Sequence, residues 1–374
     1  MSARKAAFAF KAWAQENHLI GHEFPVNLGV TDAEKDAIFD GLNISAASES
    51  CLRSRHINAV GFNEATQEVL VFLSRKPLKK DLKALPETFE EDIKVRYIHG
   101  GVAHAGLPTS GLVHSAYVVR DGRYACGGSI HPARYIGSGT IGCLVRDANG
   151  DIYGLTNNHV SGLCNYSLVG EKILAPGHLD IEANGLDPFT IGHHSRSLPM
   201  VAGVPDNVNV SENWDAALIK IANTDYVTSH QGTIYDTPNV VAPIQANQAV
   251  QKIGRTTGHT NGLVLGMLAG PFPVTYTVPT VGNQIAYFDQ VYVVQGSPST
   301  DPFSQPGDSG SLVTAMIGNQ LTAVGLVFAG DSQGRSYICS AKVVMSPLSK
   351  VEMSPSRIWS GHGKGNHCDE QKGA

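Results

Sequence analysis

The sequence carries no surplus of positive charge: 28 lysines and arginines stand against 33 aspartates and glutamates, a net charge of −5 over 374 residues. Nucleic-acid binders are usually basic, so no such partner is expected. No apolar run approaches the roughly 20 residues that a helix needs to cross a bilayer, and no membrane partner is expected either. The six cysteines (Cys51, Cys126, Cys143, Cys164, Cys339 and Cys368) include no C-x-x-C pair, which argues against a zinc or redox motif. The pair His193 and His194, and the group His362, His367 and Cys368, lack coordinated spacing and a carboxylate partner. No metal and no cofactor is therefore expected. An export signal is also missing: Lys11 interrupts the short apolar run that ends at Phe10, and Gln15, Glu16 and Asn17 follow, a pattern that reads as an amphipathic helix. The expected location is the cytoplasm, with reduced thiols.

What is present is glycine and short apolar runs. Forty glycines with only 16% charged residues suit a turn-rich β protein. Residues 1–105 have their own texture. A helical start leads to two strands around a turn at 63–67, a short helix ended near Pro86, and an alternating strand in DIKVRYI, an order of ββαβ. This predicts a small α+β N-terminal domain, joined through His99-Gly100-Gly101 and the stretch around Pro108 to a main domain over 110–345. There, short β-rich runs alternate with Gly, Asn, Asp and Pro clusters, and DANGD between apolar runs is a hairpin signal. The polar, Gly-rich stretch 346–374 reads as a loose tail.

Three segments carry chemistry. In QPGDSGSLV, Ser309 is a nucleophile candidate, since a serine becomes reactive once a base takes its proton. Gly307 can take positive φ, so that the N–H groups of Gly307 and Ser309 can serve a developing oxyanion. His159 in YGLTNNHVSG follows a strand end and is the candidate base. Asp215 stands at the entrance to the apolar strand AALIKI, where a free charge is costly, and is the candidate acid that orients the base. Each signal is weak alone. Together they stand in the chain order His, Asp, Ser, which differs from the orders of subtilisin and the α/β-hydrolases.

With these residues in place, the sequence resembles the trypsin-like (S1-type) serine peptidases, and their bacterial alpha-lytic protease and streptogrisin branch in particular. TNNHV stands where that family has its Thr-Ala-x-His motif, DAALI stands where it has Asp-Ile-Ala-Leu, and GDSGS matches the nucleophile motif fully, over roughly residues 110–345. The resemblance implies a mainly β chain, a chymotrypsin-like double antiparallel β-barrel preceded by the small α+β unit, with the site in the crevice between barrels. It implies that Ser309 attacks, that His159 is base and then acid, that Asp215 orients His159, and that Gly307 and Ser309 form the oxyanion hole. From QKIGRTTGHTNG it implies that Arg255 pairs with Asp308. It puts Phe303, Phe328 and Gly330 at the substrate pocket, the phenylalanines favouring an apolar or small residue beside the cleaved bond; core packing is the other reading of both phenylalanines, and the nearby Asp301 or Asp331 could overturn the preference. Val160 stands where many relatives have a bridged cysteine, so that disulfide is absent; a pairing of Cys143 with Cys164 is left open.

The expected function is a regulated intracellular serine endopeptidase acting on a protein or peptide substrate. Residues 1–105 are a regulatory, pro- or recognition domain through which a partner could act. The alternative is a catalytically inactive binding module on the same fold.

Overall fold

A computed structural model describes residues 1–90, 92–106, 119–181, 187–278, 281–345 and 352–353. The chain is mainly β, as expected, and built around two barrel-like β sheets. In the second barrel six strands close on themselves. Ala249–Gly254 pairs with Gly258–Leu268, which pairs with Tyr292–Gly296, then Ser336–Ser340, Gln320–Gly330 and Leu312–Ile317, and the last returns to the first. Val250, Val264, Val294, Phe303, Val313 and Val324 fill it. The first barrel is an eight-stranded sheet running from Glu352–Met353 to Gly139–Thr140, wrapped around Leu144, Ile152, Ile173, Ile191, Ile219 and Ile221. The alternating apolar positions of these strands face inward because side chains on a strand change face at every residue.

A third apolar cluster, including Cys143, Leu155, Leu218, Leu312 and Leu326, sits between the barrels. Glycines let the backbones meet there. A Cβ built on Gly142 would lie 2.2 Å from the carbonyl oxygen of Gly310, and one on Gly310 would lie 2.2 Å from that of Thr140.

The N-terminal unit contains the expected elements: the helix Ala3–Glu16, the strands Ile57–Asn63, Glu68–Leu73 and Ile93–His99, and the short helix Lys79–Leu82. Helices Asp32–Asp40 and Ala46–Arg55 add to it. Ala3, Ala6, Ala7 and Ala14 are buried against the sheet with Phe10 and Phe89, the small side chains allowing close approach. The unit does not stand apart from the barrels. Gly61 and Phe62 pair with Leu268 and Met267, so one sheet runs through both. Beyond the turn at Gly100 and Gly101, which take φ of 126° and 90°, the strand Ala103–Gly106 inserts between Phe272–Val278 and Gln320–Gly330.

The tail differs from expectation at one place: Glu352–Met353 pairs with Cys143–Arg146, and Met353 is buried beside Cys143. A short apolar contact hidden in a polar stretch gives no periodic signal. The rest of the tail, with His362, His367 and Cys368, lies outside the described residues, as do residues 107–118 around Pro108. Among the described residues no helix is long and apolar enough to cross a membrane.

The joint between the N-terminal unit and the second barrel depends on Gly266, where a Cβ would meet the carbonyl oxygen of Phe62 at 2.3 Å. Gly266→Val is expected to force the two strands apart at a cost of about 1–3 kcal/mol. The effect is read as a lowered thermal midpoint and as new protease cuts between residues 63 and 68; an unchanged midpoint counts against this joint.

Candidate active site

His159 lies on a single helical turn, Asn158–Ser161, directly after the strand Ile152–Thr156. That strand pairs with Ala217–Ile221 in a register that sets Thr156 opposite Ala217. The register brings the residues just beyond Thr156 next to those just before Ala217, and so places Asp215 beside His159. Nδ1 of His159 is 2.6 Å from Asp215 Oδ2, and the His159 backbone N–H donates to Oδ1 at 3.0 Å. Asn157 Nδ2 donates to the Asp215 carbonyl at 2.6 Å and ties the two chain segments together. Asp215 is 1% exposed, so its carboxylate depends on these donors.

One donor lies outside all three sequence motifs. The hydroxyl of Tyr276 donates to Asp215 Oδ2 at 2.9 Å, and its ring sits 5.4 Å from the His159 ring, centroid to centroid. Burial first, and the Asp215 charge second, push the Tyr276 phenol well above its ordinary range, so it remains a protonated donor. The strand signal in FPVTYTV was legible, but nothing in it marked the tyrosine as an acid's partner.

Ser309 occupies the turn between barrels. Gly307 and Gly310 take φ of 101° and 96°, values that favour glycine. Thr140 of the first barrel holds this turn: its N–H donates to the Ser309 carbonyl at 2.9 Å and its hydroxyl to the Gly307 carbonyl at 2.8 Å. Among the described residues the N–H groups of Gly307 and Ser309 donate to nothing, so both are free to serve a ligand oxygen. His159 Nε2 is buried and has no hydrogen-bond partner among the described residues, so the Ser309 hydroxyl does not bond to it. The structure thus joins His159 to Asp215 and leaves the bond to Ser309 unmade.

The expected pairing of Arg255 with Asp308 is not what the fold makes. Arg255 forms a two-point bond to Asp180 of the first barrel, Nε to Oδ2 at 2.8 Å and Nη2 to Oδ1 at 2.6 Å. Ser129 also donates to that carboxylate. Asp308 pairs with Lys252, Nζ to Oδ2 at 3.3 Å, and both are fully buried. Its carboxylate also accepts from the N–H groups of Thr256, Thr257 and Gln305 and from the Thr257 hydroxyl. The cause is strand alternation. Gly254 faces Asp308, with room for no Cβ, and Lys252, two residues earlier, shares that face; Arg255, one residue on, turns to the other. Burial pulls the Lys252 amine below its ordinary range, while Asp308 acts against that shift.

The pocket expectation also changes. Phe303 and Phe328 are 0% and 1% exposed and pack in two separate cores, so neither forms a pocket wall. Gly330 does line a groove, of about 830 Å3, together with Ser309, Gln305, Ala329 and Asp331, and with His104, Ala105 and Gly106. Counting back from the nucleophile finds the right loop but not which of its side chains turns inward. The five described cysteines are free, including Cys143 and Cys164.

Asp308→Asn would leave the Lys252 ammonium buried without a counter-charge. It is expected to cost about 3–5 kcal/mol in urea unfolding, whereas Asp301→Asn, at an exposed position, should stay within about 0.5 kcal/mol. Equal small effects would argue against the ion pair.

No protein-family model matches the chain, and no curated protein does. Solved structures similar to it include Thermobifida fusca protease A, at 15% identity over 62% of this chain and 99% of that chain, with a TM-score of 0.39. A glutamic-acid-specific serine protease is similar at 17% identity over 62% and 100%, with a TM-score of 0.38. The Nocardiopsis protease is similar at 16% over 61% and 97%, also with a TM-score of 0.38.

Proposed function

We propose that this chain is a serine endopeptidase of the bacterial trypsin-like type, hydrolysing a protein or peptide substrate through an acyl-enzyme. The observation that carries the reading is the buried His159–Asp215 pair at the end of a strand whose last residue, Thr156, abuts Gly310 next to Ser309. Asp215 keeps the Nδ1 proton of His159 directed at itself, leaving Nε2 as the base. Ser309 Oγ attacks the substrate carbonyl as its proton passes to Nε2, and the N–H groups of Gly307 and Ser309 take the oxyanion. His159 then gives the proton to the departing amine. Water, activated by the same imidazole, cleaves the ester and restores Ser309. The groove through Gly330 would hold an extended peptide. Catalytic hydrogen bonds are often unmade without substrate, which fits the free Nε2.

The protein is read further as a regulated enzyme of the cytoplasm that acts on a protein partner. The strand Ala103–Gly106 bonds to the groove strand at Gly330 and lines the groove with Ser309, which supports a restraining role for the N-terminal unit. The free Nε2 also favours a second reading, a protease-fold binding module without activity.

Hydrolysis of a library of short fluorogenic peptides separates the two. Ser309→Ala and His159→Ala are each expected to lower kcat on the order of 10^5- to 10^6-fold, and Asp215→Asn about 10^4-fold. No hydrolysis by the folded wild-type chain would favour the binding module. Gly266→Val, which loosens the N-terminal unit, is expected to raise the rate; an unchanged or lower rate counts against restraint.

A further inference from the structure

We infer that Tyr276 is a positioning residue of this site: its hydroxyl holds the carboxylate that orients His159, a task that none of the three sequence motifs assigns. The inference rests on the endopeptidase reading. Oδ1 of Asp215 accepts the His159 backbone N–H. Oδ2 accepts both the Tyr276 hydroxyl at 2.9 Å and His159 Nδ1 at 2.6 Å. With both oxygens engaged from different sides, the carboxylate cannot rotate, and the Nδ1–H tautomer of His159 is favoured. That tautomer leaves Nε2 as the acceptor that Ser309 requires.

Tyr276 is itself held firmly. Its backbone pairs with Gln284 on one side and with Ala105 on the other, and its ring packs near Phe288 and His159. It is 1% exposed, so water does not compete for the hydroxyl. Two other titratable groups face the pair, Cys164 and Cys339. Burial raises both thiols, Cys339 to about 12, so neither brings a competing charge near neutral pH. Among the described residues the side chains on the Asp215 carboxylate are then the Tyr276 phenol and the His159 imidazole. A hydrogen bond to a charged group in a dry site draws charge away from it. Removing the phenol should concentrate charge on Oδ2, strengthen its hold on the imidazole proton, and make His159 release its second proton less readily.

The test uses the full chain with Tyr276→Phe and, as a shape-preserving second variant, 3-fluorotyrosine at 276, a stronger donor. Two readouts are followed: the proton NMR signal of His159 Nδ1–H, assigned by its loss in His159→Ala, and the pH profile of kcat/KM on a fluorogenic peptide. Tyr276→Phe is expected to move the NMR signal downfield, lower kcat about tenfold with KM within about twofold, and shift the acid limb of the profile upward. Fluorotyrosine should move both the signal and the limb the opposite way. An NMR signal unchanged by either variant overturns the inference whether or not the chain hydrolyses peptides. A raised KM with unchanged kcat and limb would reduce Tyr276 to a packing residue and overturn it as well. A wild type that shows the Nδ1–H signal and its response but hydrolyses nothing supports the carboxylate clamp and defeats the endopeptidase reading instead.

Discussion

The site depends on how closely the two barrels can approach. His159 and Asp215 belong to the first barrel, and Ser309 belongs to the second. Their relative position is set at the seam, where Gly142 and Gly310 allow backbone contact that any Cβ would block. Thr140 works on both sides of this seam. Its N–H and hydroxyl hold the Ser309 and Gly307 carbonyls, its carbonyl accepts from Thr156 at the end of the strand that presents His159, and its hydroxyl accepts from the Arg255 N–H. One small residue thus connects the turn of Ser309 to the strand that presents His159. On the proposed function, a rigid joint of this kind would hold a hydroxyl and an imidazole in reach of one substrate atom.

Buried charge is the second constraint. Asp180, Asp215 and Asp308 are each 0–1% exposed, and each would be strongly destabilising alone. Each is met by a separate set of donors: Arg255 and Ser129 for Asp180, Tyr276 and His159 for Asp215, Lys252 with the 256–257 and 305 backbone for Asp308. Lys252 and these backbone donors hold Asp308, and with it the turn that carries Ser309.

Much of this was legible in the sequence where a local rule decides structure. Short apolar runs broken by Gly and Asn gave the strands, and Gly307 and Gly310 marked the turn that needs positive φ. What could not be read were the choices made by three-dimensional alternation. Lys252 and Arg255 are close along the chain and chemically alike, and only the face of the strand decides which meets Asp308. Phe303 sits in the loop next to the nucleophile yet turns into the core, while Gly330, with no side chain, lines the groove. Tyr276 reaches Asp215 from a hairpin 61 residues further along the chain, a distance no motif spans. The sharing of one sheet by the N-terminal unit and the second barrel rests on Gly61 and Gly266, whose role appears only when the strands are side by side.

The most direct test of an activated serine is covalent. The intact chain would be exposed to a fluorophosphonate, and the modified residue located by mass spectrometry of its peptides. The account predicts one phosphonyl group per chain, on Ser309, and none when His159 is replaced by alanine. A folded wild type that takes up no label, or a label on Ser309 that persists undiminished without His159, would contradict it.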